Sequence, residues 1–133
     1  MYASDAAVDD YFGYSVSLYG DTALIGAIND DDNSKSGSGS VYVFTRSSTD
    51  GTFTQQSKLD ASDPAADNHF GMSVSLYGDT ALIGALKDDD NGQSNSGSVY
   101  VFKAPPPPPP SPPPSPPLPP PPLFLTSLVE YAT

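Results

Sequence analysis

The 133-residue chain contains no cysteine and no tryptophan, one histidine (His69) and one glutamate (Glu130). Without thiols there is no disulfide framework, and thiolate-based nucleophilic or zinc chemistry is excluded. Cations are scarce as well: five Lys and Arg stand against 16 Asp and Glu, for a formal charge of −11. Phosphate contacts require Lys and Arg, so this balance argues against nucleic acid or an anionic membrane as partner. No run of 18 apolar residues occurs, so no segment reads as a transmembrane helix. Residues 1–5, Met-Tyr-Ala-Ser-Asp, have neither a charged n-region nor an apolar h-region, so no signal peptide is visible.

What is abundant is repetition. Residues 12–44 recur without a gap at 70–102, shifted by 58 positions, with 27 of 33 aligned residues identical. A repeat of this length implies a supersecondary unit that buries its core against neighbouring copies. It points toward a binding surface and away from a single catalytic pocket. The alignment extends upstream, where Ala3, Ser4, Asp5, Ala7 and Asp9 match Ala61, Ser62, Asp63, Ala65 and Asp67. The chain thus opens inside a repeat, and we expect a truncated protein or an incomplete gene model. Proline is confined: 15 of 16 lie within residues 105–122, which leaves residues 1–104 for one modest domain.

Each repeat holds short strand-like segments bounded by turn residues. In the first copy these are residues 15–18, with Val16 and Leu18 alternating with serine, and 22–28, a nearly continuous apolar run. The second pattern predicts a strand buried on both faces. Between them, Gly20-Asp21 suits a two-residue hairpin turn. A loop rich in Asp, Ser and Gly leads to a third strand at 40–45, and a polar fourth strand at 52–59 reads as an exposed outer edge. The second copy repeats three strands, at 73–76, 80–86 and 98–102, and then meets proline where its fourth should be. No useful 3.6-residue period exists, so helical repeats are excluded. The fold class expected is all-β: antiparallel four-stranded β-propeller blades, about two of them, forming an incomplete propeller with a disordered polyproline II tail. A seven-stranded sandwich is the alternative on strand count, but it would place identical sequences in unlike environments.

Phe12-Gly13-Tyr14-Ser15 followed by Gly26-Ala27-Ile28, and Phe70-Gly71-Met72-Ser73 followed by Gly84-Ala85-Leu86, resemble FG-GAP repeats. Those repeats build the propeller at the head of integrin α chains and of many surface proteins. The trailing Gly-Ser-Val-Tyr-Val-Phe is similar too, and the resemblance spans residues 3–103. It divides the chain into a first repeat at 1–60, a second at 61–104 lacking its outer strand, a proline-rich linker at 105–122 and an apolar tail at 123–133. Gly13 and Gly71 would let the chain turn sharply into the inner strand, and Gly26-Ala27 and Gly84-Ala85 would stay small where blades crowd together. The resemblance implies an extracellular or cell-surface adhesion module binding protein or glycan partners. Many family members carry a calcium loop between the first two strands, but here that place holds one carboxylate, Asp21 or Asp79. Calcium takes six to eight oxygens, so that site is not carried over.

A different acidic run, Asp-Asp-Asp-Asn, occupies the next loop: Asp30, Asp31, Asp32 and Asn33, then Asp88, Asp89, Asp90 and Asn91. In a propeller this loop shares a face with the inter-blade connection, which holds Asp5, Asp9 and Asp10, then Asp60, Asp63 and Asp67. Together these put 12 of the 16 acidic residues on one face. Crowded carboxylates repel unless a cation neutralises them. Two readings stand: the face binds a divalent cation, calcium first among them, or a basic ligand; or the loops are solvated and kept soluble by their charge. An enzyme reading finds little support. His69 aligns with Tyr11 and reads as a surface residue, the serines lack a partner base, and Tyr19, Tyr42, Tyr77 and Tyr100 read as blade packing. The proline run predicts a semi-rigid rod. Two other functions are kept open: a structural wall or matrix component on a proline-rich stalk, or an accessory propeller of a larger enzyme. A family-like ring needs six to eight blades, so further blades or self-association are expected to cover two blade faces and the edge of the last strand.

Overall fold

The computed structural model describes residues 1–32, 34–90 and 92–105. Expectations placed on Asn33, Asn91, the proline-rich rod beyond Pro105 and the apolar tail lie outside the described residues. The repeated sequence produces repeated sheets. A first antiparallel sheet has strands in chain order, β1 (Phe12–Tyr19), β2 (Thr22–Ala27), β3 (Ser40–Arg46) and β4 (Phe53–Leu59). A second contains β5 (Phe70–Tyr77), β6 (Thr80–Ala85) and β7 (Ser98–Lys103). There is no helix among the described residues, and the architecture is that of propeller blades in an unclosed array.

Each blade opens on a hairpin. Tyr19 pairs with Thr22 across Gly20-Asp21, with Gly20 at φ +57°, a left-handed backbone that glycine adopts without strain. The inner strand is longer than the alternating pattern predicts, because a bulge between Phe12 and Ser15 extends it backward. Gly13 sits in that bulge at φ +93°, and Gly71 repeats it at +89°. A bulge breaks the two-residue period, which is why this part of β1 is illegible to an alternation rule.

Successive side chains on a strand face opposite sides, so each sheet has two apolar faces. One face of the first sheet, with Leu24, Val41, Val43 and Leu59, packs on Phe70, Val74, Leu76, Ala81, Ile83 and Ala85 of the second. Its other face collects Ala23, Ile25, Ala27, Tyr42 and Phe44, with Ala3, Phe12 and Phe53 against them. Phe12 meets Tyr42 edge-on at 5.5 Å between ring centroids, and Phe70 meets Tyr100 in the same manner at 5.3 Å. The blades approach closely at Gly26, where an added Cβ would overlap the Gly71 carbonyl oxygen, and at Gly39, where it would overlap that of Phe70. Ser15 Oγ donates to that carbonyl at 2.6 Å, and Ser17 Oγ accepts from the Leu76 amide at 3.0 Å.

The expectation that β2 is buried on both faces holds in the first sheet, where Leu24 is 2% exposed. Its counterpart Leu82 is 44% exposed, and Val99 and Val101 of the same face are 66% and 60% exposed. The sequence is unchanged between the copies, so the difference is the neighbour: blade two covers blade one, and no described residue covers that face of blade two.

Candidate functional site

The connection from β4 to β5 runs along the β2–β3 loop of the first blade. The Asp67 amide donates to Ser36 O, His69 to Gly37 O and Phe70 to Ser38 O, at 2.8–3.2 Å. This ladder gathers the acidic loops at one end of the molecule. A cleft of about 420 Å³ there is lined by seven aspartates, namely Asp5, Asp9, Asp10, Asp30, Asp31, Asp32 and Asp67, and by one ammonium, Lys58. Asp9 and Asp67 occupy equivalent left-handed positions at φ 67° and 62°, a conformation Asp tolerates better than most residues.

Within each Asp-Asp-Asp run the side chains diverge. Asp30 turns inward and is 6% exposed at its side chain, whereas Asp31 lies at the surface. Asp31 Oδ1 accepts the Gly37 amide at 2.8 Å, and the Asp32 backbone pairs with that of Lys35 across a tight turn. The second copy repeats this: Asp88 is buried, Asp89 Oδ1 accepts the Asn95 amide at 2.6 Å, and the Asp90 backbone pairs with that of Gln93. The run therefore splits in blade one: Asp30 and Asp32 lie 2.6 and 3.8 Å from Lys58 Nζ, while Asp31 is held by the Gly37 amide. Among the described residues, no group of three or more His, Asp or Glu side chains is arranged to hold a metal ion.

The inward carboxylate of blade one is instead met by a side chain the sequence pattern did not single out. Lys58, on the outer strand β4, places Nζ 2.6 Å from Asp30 Oδ2, 2.9 Å from Asp5 Oδ2 and 3.8 Å from Asp32 Oδ1. The ammonium also lies 5.4 Å from the centroid of the Tyr42 ring. The Tyr42 hydroxyl donates to Asp5 at 2.8 Å or Asp30 at 3.2 Å, and Ser40 Oγ donates to Asp30 at 2.6 Å. Burial alone pulls the Lys58 ammonium down, but hydrogen bonds and charge from Asp30 and Asp5 more than offset it and hold its pKa above the ordinary value. Burial would raise the Asp5 carboxyl, yet Lys58 and Tyr42 hold it below the usual range. Burial, the hydrogen bond to Asp5 and the charge of Asp30 together push the Tyr42 phenol up. Asp60 goes the other way for a carboxylate: burial and the facing Asp32 push it up to about 6.

Blade two repeats the tyrosine and its two carboxylates, with Asn68 in the place of Asp10. Tyr100 donates to Asp63 at 2.7 Å or Asp88 at 2.9 Å, and Asn68 Nδ2 donates to Asp88 Oδ1. Burial, then Asp63 and Asp88, raise the Tyr100 phenol. Among the described residues no lysine or arginine forms an ion pair with Asp63 or Asp88. Tyr42 and Tyr100 thus do more than pack blades: their hydroxyls tie two acidic loops together. His69 lies 3.4 Å from Lys87 Nζ, and burial and then that ammonium hold its pKa below the usual imidazole value.

Residues 1–44 and 53–102 match the family model of the FG-GAP repeat. No curated protein matches the chain. The place where many such repeats hold calcium, the first hairpin turn of each blade, contains here one carboxylate per copy: Asp21, paired with Arg46 Nη2 at 2.6 Å, and Asp79, which accepts from Thr80 Oγ1 at 2.9 Å. That donor set does not fit a divalent cation.

Proposed function

The chain belongs to the FG-GAP repeat family, and from that premise we propose that it is a non-enzymatic, extracellular or cell-surface binding module that engages a protein partner through its acidic cleft. FG-GAP repeats are typical of surface proteins and of integrin-like propellers, and no helix of the described residues is long and apolar enough to cross a membrane. The carrying observation is the charge of the cleft: seven aspartates face one lysine, and that lysine is already taken up by Asp5 and Asp30. The exposed Asp9, Asp31 and Asp67 present a negative surface that a basic segment complements better than a neutral glycan does. In blade one a divalent cation has a poor place, because Lys58 already sits where it would bind.

The test is titration of a lysine-rich peptide into the full chain at low and high salt. We expect saturable binding that weakens with salt and falls several-fold in the double variant Asp9→Asn/Asp67→Asn. Asparagine keeps the left-handed backbone at both positions while removing charge. Equal binding by both proteins would refute the reading. A second reading, a wall or matrix component, is favoured by the 15 prolines of residues 105–122. Hydroxyproline and glycan detected on that stretch of the native protein would select it.

A further inference from the structure

Among the described residues blade two has three strands, and its last one has a twin inside the molecule. Residues 98–102 (Ser-Val-Tyr-Val-Phe) are identical to residues 40–44. In blade one that segment carries β4 on its outer side, with Val41 opposite Leu59, Tyr42 opposite Lys58 and Val43 opposite Ser57. In blade two no described strand pairs with the outer edge of β7. An edge strand of this kind presents unpaired N–H and C=O groups to any extended chain. The positions of this chain that correspond to β4, residues 111–117, read Ser-Pro-Pro-Pro-Ser-Pro-Pro. Proline has no N–H to donate to a ladder, so the chain's own sequence is poorly suited to fill the place.

The charge at that edge says what fits. Asp88 is 5% exposed, and Asp63 and Asp88 both accept from Tyr100, as Asp5 and Asp30 do from Tyr42. In blade one the strand that pairs with β3 brings Lys58 to that carboxylate pair. In blade two the pair is assembled around the tyrosine, and no described lysine or arginine neutralises it. We propose that the β7 edge is a docking site for an extended segment of a partner protein carrying a lysine opposite Tyr100. That segment adds a fourth strand, and its ammonium enters between Asp63 and Asp88. This surface is separate from the acidic cleft and does not depend on the cleft's role.

The β4 sequence itself supplies the probe. A labelled peptide of residues 51–60 (Gly-Thr-Phe-Thr-Gln-Gln-Ser-Lys-Leu-Asp) is titrated into the full chain by fluorescence anisotropy. Hydrogen exchange is followed in parallel on the amides of β7. The expected result is saturable binding with added protection across residues 98–103. Affinity should fall at least tenfold when the peptide lysine is replaced by glutamate, and several-fold in the protein variant Asp63→Asn, an exposed position where folding is not at risk. No binding, equal binding by a scrambled peptide, or binding without protection of β7 would overturn the proposal. So would a dimer in which the β4 of one copy already fills the β7 edge of another.

Discussion

Blade one and blade two share the same residues at their centre and differ in what stands around them. In blade one the Leu24 face is covered by the next blade, the outer strand is present, and Lys58 neutralises Asp5 and Asp30. In blade two no described residue covers the equivalent face bearing Leu82, Val99 and Val101, and Asp63 and Asp88 are held by Tyr100 with no described ammonium beside them. The comparison teaches that a repeat specifies a surface, and that its neighbours decide whether the surface becomes core or interface. Blade one therefore shows which neighbours the described part of blade two lacks: a covering blade, an outer strand and a lysine.

The largest expected effect tests the ion pair. Lys58→Met keeps the apolar stem and leaves Asp30 buried without a cation, so it should cost about 3–5 kcal/mol in urea unfolding. Asp88→Asn in blade two should cost less, about 1–3 kcal/mol, because the amide oxygen can still accept from Tyr100 and no ion pair is lost, although the buried bond from Asn68 is. Equal losses would mean that blade two has a cation of its own in solution, and the comparison would break there. The packing test comes next. Leu24→Ala should lose about 3 kcal/mol as a cavity opens between the blades, and Leu82→Ala about 0.5 kcal/mol. If Leu82→Ala proves as costly, the open face is covered by another blade or copy, and sedimentation will show the added mass.

The smallest effect is a pH dependence that only blade one possesses. Asp60 faces Asp32, Ser40 and Lys58, and burial and the facing Asp32 push its carboxyl up to about 6 in the fold, above the ordinary carboxylate range. A raised carboxyl favours folding below the unfolded pKa, and that contribution is lost as pH rises through the folded one. Relative to Asp60→Asn, the parent chain should therefore lose stability between about pH 4 and pH 6 and run parallel outside that window. Parallel curves throughout would show that burial and the facing Asp32 do not raise the Asp60 carboxyl. The counterpart of Asp60 in the second repeat is Leu118, so the sequence carries no such carboxyl there.

Much of this was legible in the residues. The 58-residue shift exposed the blades, Gly20-Asp21 and Gly78-Asp79 marked the hairpins, and the small Gly26 predicted the close approach that Gly71 makes. The acidic face was legible as well, since seven of the twelve expected aspartates line one cleft. Lys58 was not, because β4 alternates weakly and a flexible four-carbon stem reaches carboxylates 26–53 positions away in sequence. Nor did the tyrosine hydroxyls stand out: an aromatic residue on a strand announces packing, and its polar tip acquires a meaning only beside Asp5 or Asp63.

By itself the sequence determined that the chain folds as repeated antiparallel blades with a strong negative charge, because local turn chemistry and a two-residue apolar period suffice to define a sheet. Only the tertiary structure decided which identical faces are buried and which carboxylates receive a cation. Burial and charge pairing are properties of juxtaposed surfaces, and two copies of one sequence placed beside different neighbours acquire different ones.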